Sequence, residues 1–273
     1  SRGLGDVYKR QNIYGGLSLA SITALVVLGG LKRIAEVASY LVPFMGSIYF
    51  GAMLIAIVLN INLVIPAFSL IITDAFSGTA IAGGTFFGVL IYGVRRGAFS
   101  NEAGMGTESL VHGVAKVSNP VKQGLVAMTG PIFDTLIICT ATALMILISG
   151  VWETSASQGV TLTAEAFSSL LGSFGGFVLF ACVICFGLST IFTYSYYGAS
   201  CSRFLCGKLG MRFYIYLYII SIFVYSIVPI DIAINIADGA FAMMAIPTLV
   251  SALWLAPKVM QASKNYFKII EGR

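Results

Sequence analysis

Residues 93–109 read GVRRGAFSNEAGMGTES, setting two arginines and two glutamates in a chain of which 10% is charged and 58% hydrophobic. A phosphate-binding turn, a catalytic cluster, and the watery end of something otherwise buried in lipid all deserve a hearing. The GxG at Gly104 and Gly106 has no preceding β-strand, no third glycine at the right spacing and no Gly-Lys-Ser/Thr ending, which makes the phosphate reading weak. A mean hydropathy of +0.93 lies far outside the soluble range, where about a quarter of the residues are charged. The stretch therefore reads as a glycine-rich loop between membrane helices, with Glu102 and Glu108 placed to pair with Arg95, Arg96 or Lys116 and the arginines ending a span.

Working outward, a helix needs about 20 mainly apolar residues to cross the hydrocarbon core. Spans are predicted near 13–31, 40–60, 78–93, 124–150, 170–197, 213–229 and 231–256, an all-α integral membrane protein. The runs are continuously apolar rather than alternating, which argues against a transmembrane β-barrel. The five cysteines fall inside spans or in a loop assigned to the cytoplasm, so no disulfide is expected. Cys182 and Cys185 form a CxxC without a second pair, which marks one face of a helix. His112 is the single histidine, and it reads as a loop residue.

Charge placement orients the spans. After residue 11 every Lys and Arg lies in alternate loops: Lys32 and Arg33; Arg95, Arg96, Lys116 and Lys122; Arg203, Lys208 and Arg212; Lys258, Lys264, Lys268 and Arg273. The intervening loops hold Asp74, Glu153, Glu165 and Asp231. By the positive-inside rule the basic set and the C-terminus are cytoplasmic. The net charge of +5 follows from that rule and implies no nucleic-acid binding. Arg2, Lys9 and Arg10 break the pattern, and DVYKRQ (6–11) resembles the translation of a transposase end used as a sequencing-library adaptor. About the first eleven residues are accordingly expected to be a cloning or assembly scar, with residues 12–273 the transmembrane domain and further native helices upstream.

RRGAFSNEAGMGTES (95–109), followed by NPVKQGLVAMTGPIFDTLIICTATALMIL (119–147), resembles the region after the sixth helix of the alanine or glycine:cation symporters, the sodium–amino acid carrier family. GGLKRIAEVASYLVPFM (29–45), LSTIFTYSYYG (188–198) and IADGAFAMMAIPTL (236–249) resemble its fifth, eighth and tenth helices in order. The resemblance implies a leucine-transporter-type fold of two inverted five-helix repeats, of which this chain would supply the fourth to tenth helices. It also implies sodium-coupled import of alanine or glycine by alternating access across the inner (plasma) membrane, with sodium as a co-transported ion rather than a cofactor, the lipid bilayer as surroundings and no catalysis.

The candidate site residues follow from the same resemblance, each beside a plainer reading. SGTAIAGGTFFG (77–88) is rich in small residues, which either permit an unwound segment lining a binding site or merely allow close helix packing. Thr79, Gly83, Gly84 and Phe86 are assigned to substrate, although Thr85 stands where the family has Phe. Ser189 and Thr190 are assigned as sodium ligands, Thr190 also as a substrate contact, since hard cations favour oxygen; the plain alternative is a bond back to a carbonyl one turn earlier. Tyr194, where the family has Trp, is expected to form a pocket wall. Asp134 and Asp238 lie near apolar stretches, where an acid is a functional candidate. Asp134 and Glu102 are given a gating or structural role. A proton-coupled permease of the same fold is the nearer rival. A channel would need a polar stripe along several spans, and an enzyme would need a nucleophile–base pair or metal cluster.

Overall fold

The computed structural model describes residues 2–76, 85–102 and 104–271. In order they form α1 (Arg2–Val27), α2 (Gly30–Leu59), α3 (Ile61–Ala75), α4 (Thr85–Asn101), α5 (Thr107–His112), α6 (Pro120–Pro131), a π-helical segment (Ile132–Cys139), α7 (Thr140–Ser149), α8 (Val151–Thr154), α9 (Val160–Tyr225) and α10 (Ile230–Glu271). No strand occurs among the described residues. Lys32–Leu59, Pro120–Ser149, Val160–Tyr225 and Ile232–Ile270 are each long and apolar enough to cross a membrane. Large side chains such as Leu253 and Trp254 in α10 are left exposed, as a surface solvated by acyl chains requires.

Three boundaries differ from the sequence reading. Residues 61–75, expected to lie between spans, form α3, an apolar helix of 15 residues that Asn60 alone separates from α2. At 1.5 Å per residue it is about 22 Å long, short of the roughly 30 Å hydrocarbon core. Second, Arg95 and Arg96 do not end their helix. Arginine is a good helix former, and α4 runs on to Asn101 until Glu102 (φ 54°) and Gly104 (φ 80°) turn the chain into the left-handed region.

Third, 170–197 and all but the last four residues of 213–229 belong to one hydrogen-bonded run of 66 residues, α9. This run is not a straight rod, because Gly172 (φ 67°) and Gly207 (φ 69°) are left-handed within it, and a right-handed helix cannot pass through such a residue unbent. Around Gly207 the limbs fold back on each other. The Tyr218 hydroxyl donates to the Ile191 carbonyl at 2.7 Å, and a methyl group on Gly198 would collide with the Tyr214 ring. Around Gly172 the reversal is tighter still, with Gly175 against the Phe167 carbonyl and Gly176 against Ser168. The two expected spans thus survive as limbs joined by a glycine turn instead of by a loop.

The chain divides into two compact units, residues 1–49 with 178–239, and 50–177 with 240–273. In the first, Val27, Ile34 and Phe192 form a buried cluster, packed around by Val26, Val37, Leu188, Ile191, Tyr196 and Ile215. Tyr49 meets Phe186 edge to face at 5.7 Å, and Gly16 lies directly against Ser226. In the second, Met53 and Met145 are fully buried, and the Thr142 hydroxyl approaches the Met53 sulfur at 3.5 Å.

Candidate cation and substrate site

Pro131 has no backbone N–H to give to the turn before it, and the helix after it widens to the π form over Ile132–Cys139. Such widened turns recur at functional sites in helices. Here the segment carries Asp134 and Thr135, and both meet the end of α4. Ser100 Oγ donates to Asp134 Oδ2 at 2.5 Å, and the Asn101 side-chain amide donates to Thr135 Oγ1 at 3.3 Å. Thr135 Oγ1 also reaches Asp134 Oδ2 at 3.5 Å, while Ser100 Oγ lies 3.6 Å from the Cys139 sulfur. Two stretches 34 residues apart, FSNE and FDT, are thereby joined through one half-buried carboxylate, the hydroxyls of Ser100 and Thr135 and the Asn101 amide. Ionised carboxylate, hydroxyl and amide oxygens are the donor types that a hard cation takes.

The glycines of the signature loop have a packing reason. A methyl group on Gly106 (φ 90°) would fall 2.8 Å from Thr248 Oγ1, and one on Gly104 (φ 80°) 3.6 Å from Leu249. Phe99 packs on Phe241 with ring centroids 4.6 Å apart. The loop that opens this chain's most distinctive motif is therefore seated on α10. Thr107, which sequence reasoning did not single out, is 1% exposed and its hydroxyl has no hydrogen-bond partner among the described residues. A threonine after two glycines in a polar stretch carries no sequence signal for burial. His112 closes α5 and lies 2.7 Å, Nδ1 to Nε2, from the Gln123 amide, which pins α5 to α6. Arg96 stacks over the Tyr92 ring at 5.1 Å.

The remaining predicted residues lie apart. Ser189 is buried and donates to the Phe186 carbonyl at 2.9 Å, the local back-bond that a hydroxyl in an apolar helix makes; its oxygen lone pairs stay free to accept. Thr190 is exposed. Consecutive residues of a helix point about 100° apart, so the two hydroxyls face different surroundings. Tyr194, one turn beyond Thr190, is half-buried beside Tyr197, ring centroids 5.4 Å apart. Thr79, Gly83 and Gly84 lie outside the described residues, as does the Phe86 side chain; the Phe86 backbone is in the first turn of α4. Glu102 sits at the left-handed turn after α4, its carbonyl accepting from the Met105 N–H at 3.0 Å.

With this geometry in view, the family model described as the sodium:alanine symporter family matches residues 2–272. The chain belongs to the sodium:alanine symporter family. The family and the relatives compared are transporters, not enzymes. The chain is 36% identical over 257 residues to the sodium/alanine symporter AgcS of Methanococcus maripaludis, covering 93% of this chain and 56% of that protein. It is 34% identical over 252 residues to the Bacillus subtilis protein named "Probable sodium/glutamine symporter GlnT", covering 92% and 53%. With the sodium/proton-dependent alanine carrier protein of Bacillus sp. strain PS3 it shares 29% over 269 residues, covering 92% and 60%. The chain thus spans little more than half the length of the curated relatives it matches. Within this symporter-family chain, the FSNEAG and FDT motifs are the pair joined at Asp134.

Proposed function

We propose that a protein carrying this chain imports small neutral amino acids, alanine or glycine, by sodium-coupled symport across the inner (plasma) membrane, on a leucine-transporter-type fold. The family match over residues 2–272 carries the reading. Substrate and sodium bind near the bilayer midplane between inverted repeats, and rocking of one helix bundle opens the site inward. Thr79, Gly83, Gly84, Phe86 and Tyr194 serve the substrate, Ser189 the ion, and Thr190 both. The basic loops and the C-terminus face the cytoplasm. Asp134, held by Ser100, braces the gate at the end of α4, and Glu102 terminates that brace.

A proton-coupled reading is kept because one relative carries sodium/proton dependence in its name. Uptake of labelled alanine and glycine by cells expressing the full-length protein separates the two. Sodium-dependent uptake that survives collapse of the proton gradient, and that Thr190→Val abolishes, is the expected result. Uptake independent of sodium and lost with the proton gradient would replace sodium by protons, and competition by glutamine alone would overturn the choice of substrate.

A further inference from the structure

The first turns of α6 and the later part of α10 enclose a groove of about 460 Å³. Val121, Leu125 and Met128 form one wall, Leu255 and Val259 the other, and Lys258 is the charged residue on its border. Gly124 opens the floor: a methyl group there would meet nothing within 4 Å. Lys258 has no carboxylate partner among the described residues, and Lys122, exposed in the first turn of α6, adds a second cation next to Val121. Both lysines belong to the basic set of loops, so the groove lies where two membrane helices emerge on the basic side.

Apolar walls of this extent suit acyl chains, and an uncompensated lysine at the headgroup level suits a phosphate. Lysine reaches that level by laying its methylenes along the apolar wall. Basic pockets between membrane helices on the cytoplasmic side hold anionic headgroups. We propose that this groove binds one anionic phospholipid, its tails between α6 and α10 and its phosphate on Lys258. Charge complementarity favours the lipid over an apolar protein segment, which would leave the ammonium unpaired. The proposal rests on the multi-pass membrane placement and is independent of the transport reading.

The test is electron spin resonance on the full-length protein in phosphatidylcholine vesicles, with spin-labelled phosphatidylglycerol compared with spin-labelled phosphatidylcholine. Immobilisation of the anionic probe is expected to be favoured by about five-fold, the size that one lysine gives near an anionic surface. Lys258→Gln should remove that preference while leaving the phosphatidylcholine signal unchanged. Gly124→Leu, which fills the groove and keeps the charge, should lower the immobilised fraction of both probes. Equal immobilisation of the two lipids by the unaltered protein, as when another segment of the full-length chain covers the groove, would overturn the proposal. So would a preference that survives both substitutions.

Discussion

At the scale of single residues, the Ser100–Asp134 bond gives the clearest test. A hydrogen bond to a charged group contributes about 1.5–3 kcal/mol, so Ser100→Ala is expected to cost that much, read as a lower thermal midpoint of the detergent-solubilised protein. Asp134→Asn keeps the size of the side chain and removes the charge; applied to the Ser100→Ala background it should cost less than alone, because the two act through one bond. A strictly additive double mutant would show that the contact is not made in solution. Glu165 gives a second test. Its carboxylate accepts from Ser155 and Ser157, the latter at 2.6 Å, which holds its pKa below the ordinary glutamate value. The sign follows from the depression: its contribution is present in full above the ordinary value of 4.5 and disappears as pH falls through the lowered folded value. Glu165→Gln should therefore lower stability slightly at neutral pH and leave it little changed at acid pH, which flattens the acid limb of the stability profile. An unaltered acid limb would deny the bond its role.

At the scale of elements, the glycine turns at Gly172 and Gly207 decide how one helical run becomes three limbs. Gly207 has open space around its Cβ position, so an alanine there meets only backbone strain, about 1–2 kcal/mol for a left-handed residue. Gly198 is the opposite case: its backbone is ordinary, but the Tyr214 ring occupies the space a methyl needs. Gly198→Ala should cost about 1–3 kcal/mol, as overpacking does, and the loss should shrink when Tyr214 is also changed to Ala. The cost of Gly207→Ala should not respond to Tyr214→Ala. The sequence placed spans on both sides of this turn from hydropathy alone, yet it gave no sign that GASCSRFLCGKLGMR would stay helical up to a single glycine. That stretch contains no proline, and its polar residues are as compatible with a helix as with a loop. The short helix α3 was missed for a related reason: its apolar run continues that of α2 across Asn60, and a window tuned to about 20 residues absorbs or skips a piece of 15.

At the scale of the whole molecule, the alternation of basic and acidic segments predicts an orientation that labelling can read. Cys206 is exposed beside the Gly207 turn, between Arg203 and Lys208. In a variant that retains Cys206 as its single cysteine, a membrane-impermeant maleimide added outside intact cells should leave it unmodified, and permeabilised cells should label it fully. Labelling from outside would reverse the topology. Composition and hydropathy determined that the chain is a multi-pass helical membrane protein, because removing backbone polar groups from water in lipid leaves few other solutions. The motif wording determined its family. Only the tertiary structure decided that FSNEAG and FDT meet at Asp134, that the signature loop sits on α10 through Gly104 and Gly106, and that Ser189 and Thr190 face different surroundings. Residues 34 positions apart in sequence come together only when a widened helical turn and a left-handed chain reversal aim them at one another, and neither device is written in hydrophobic periodicity.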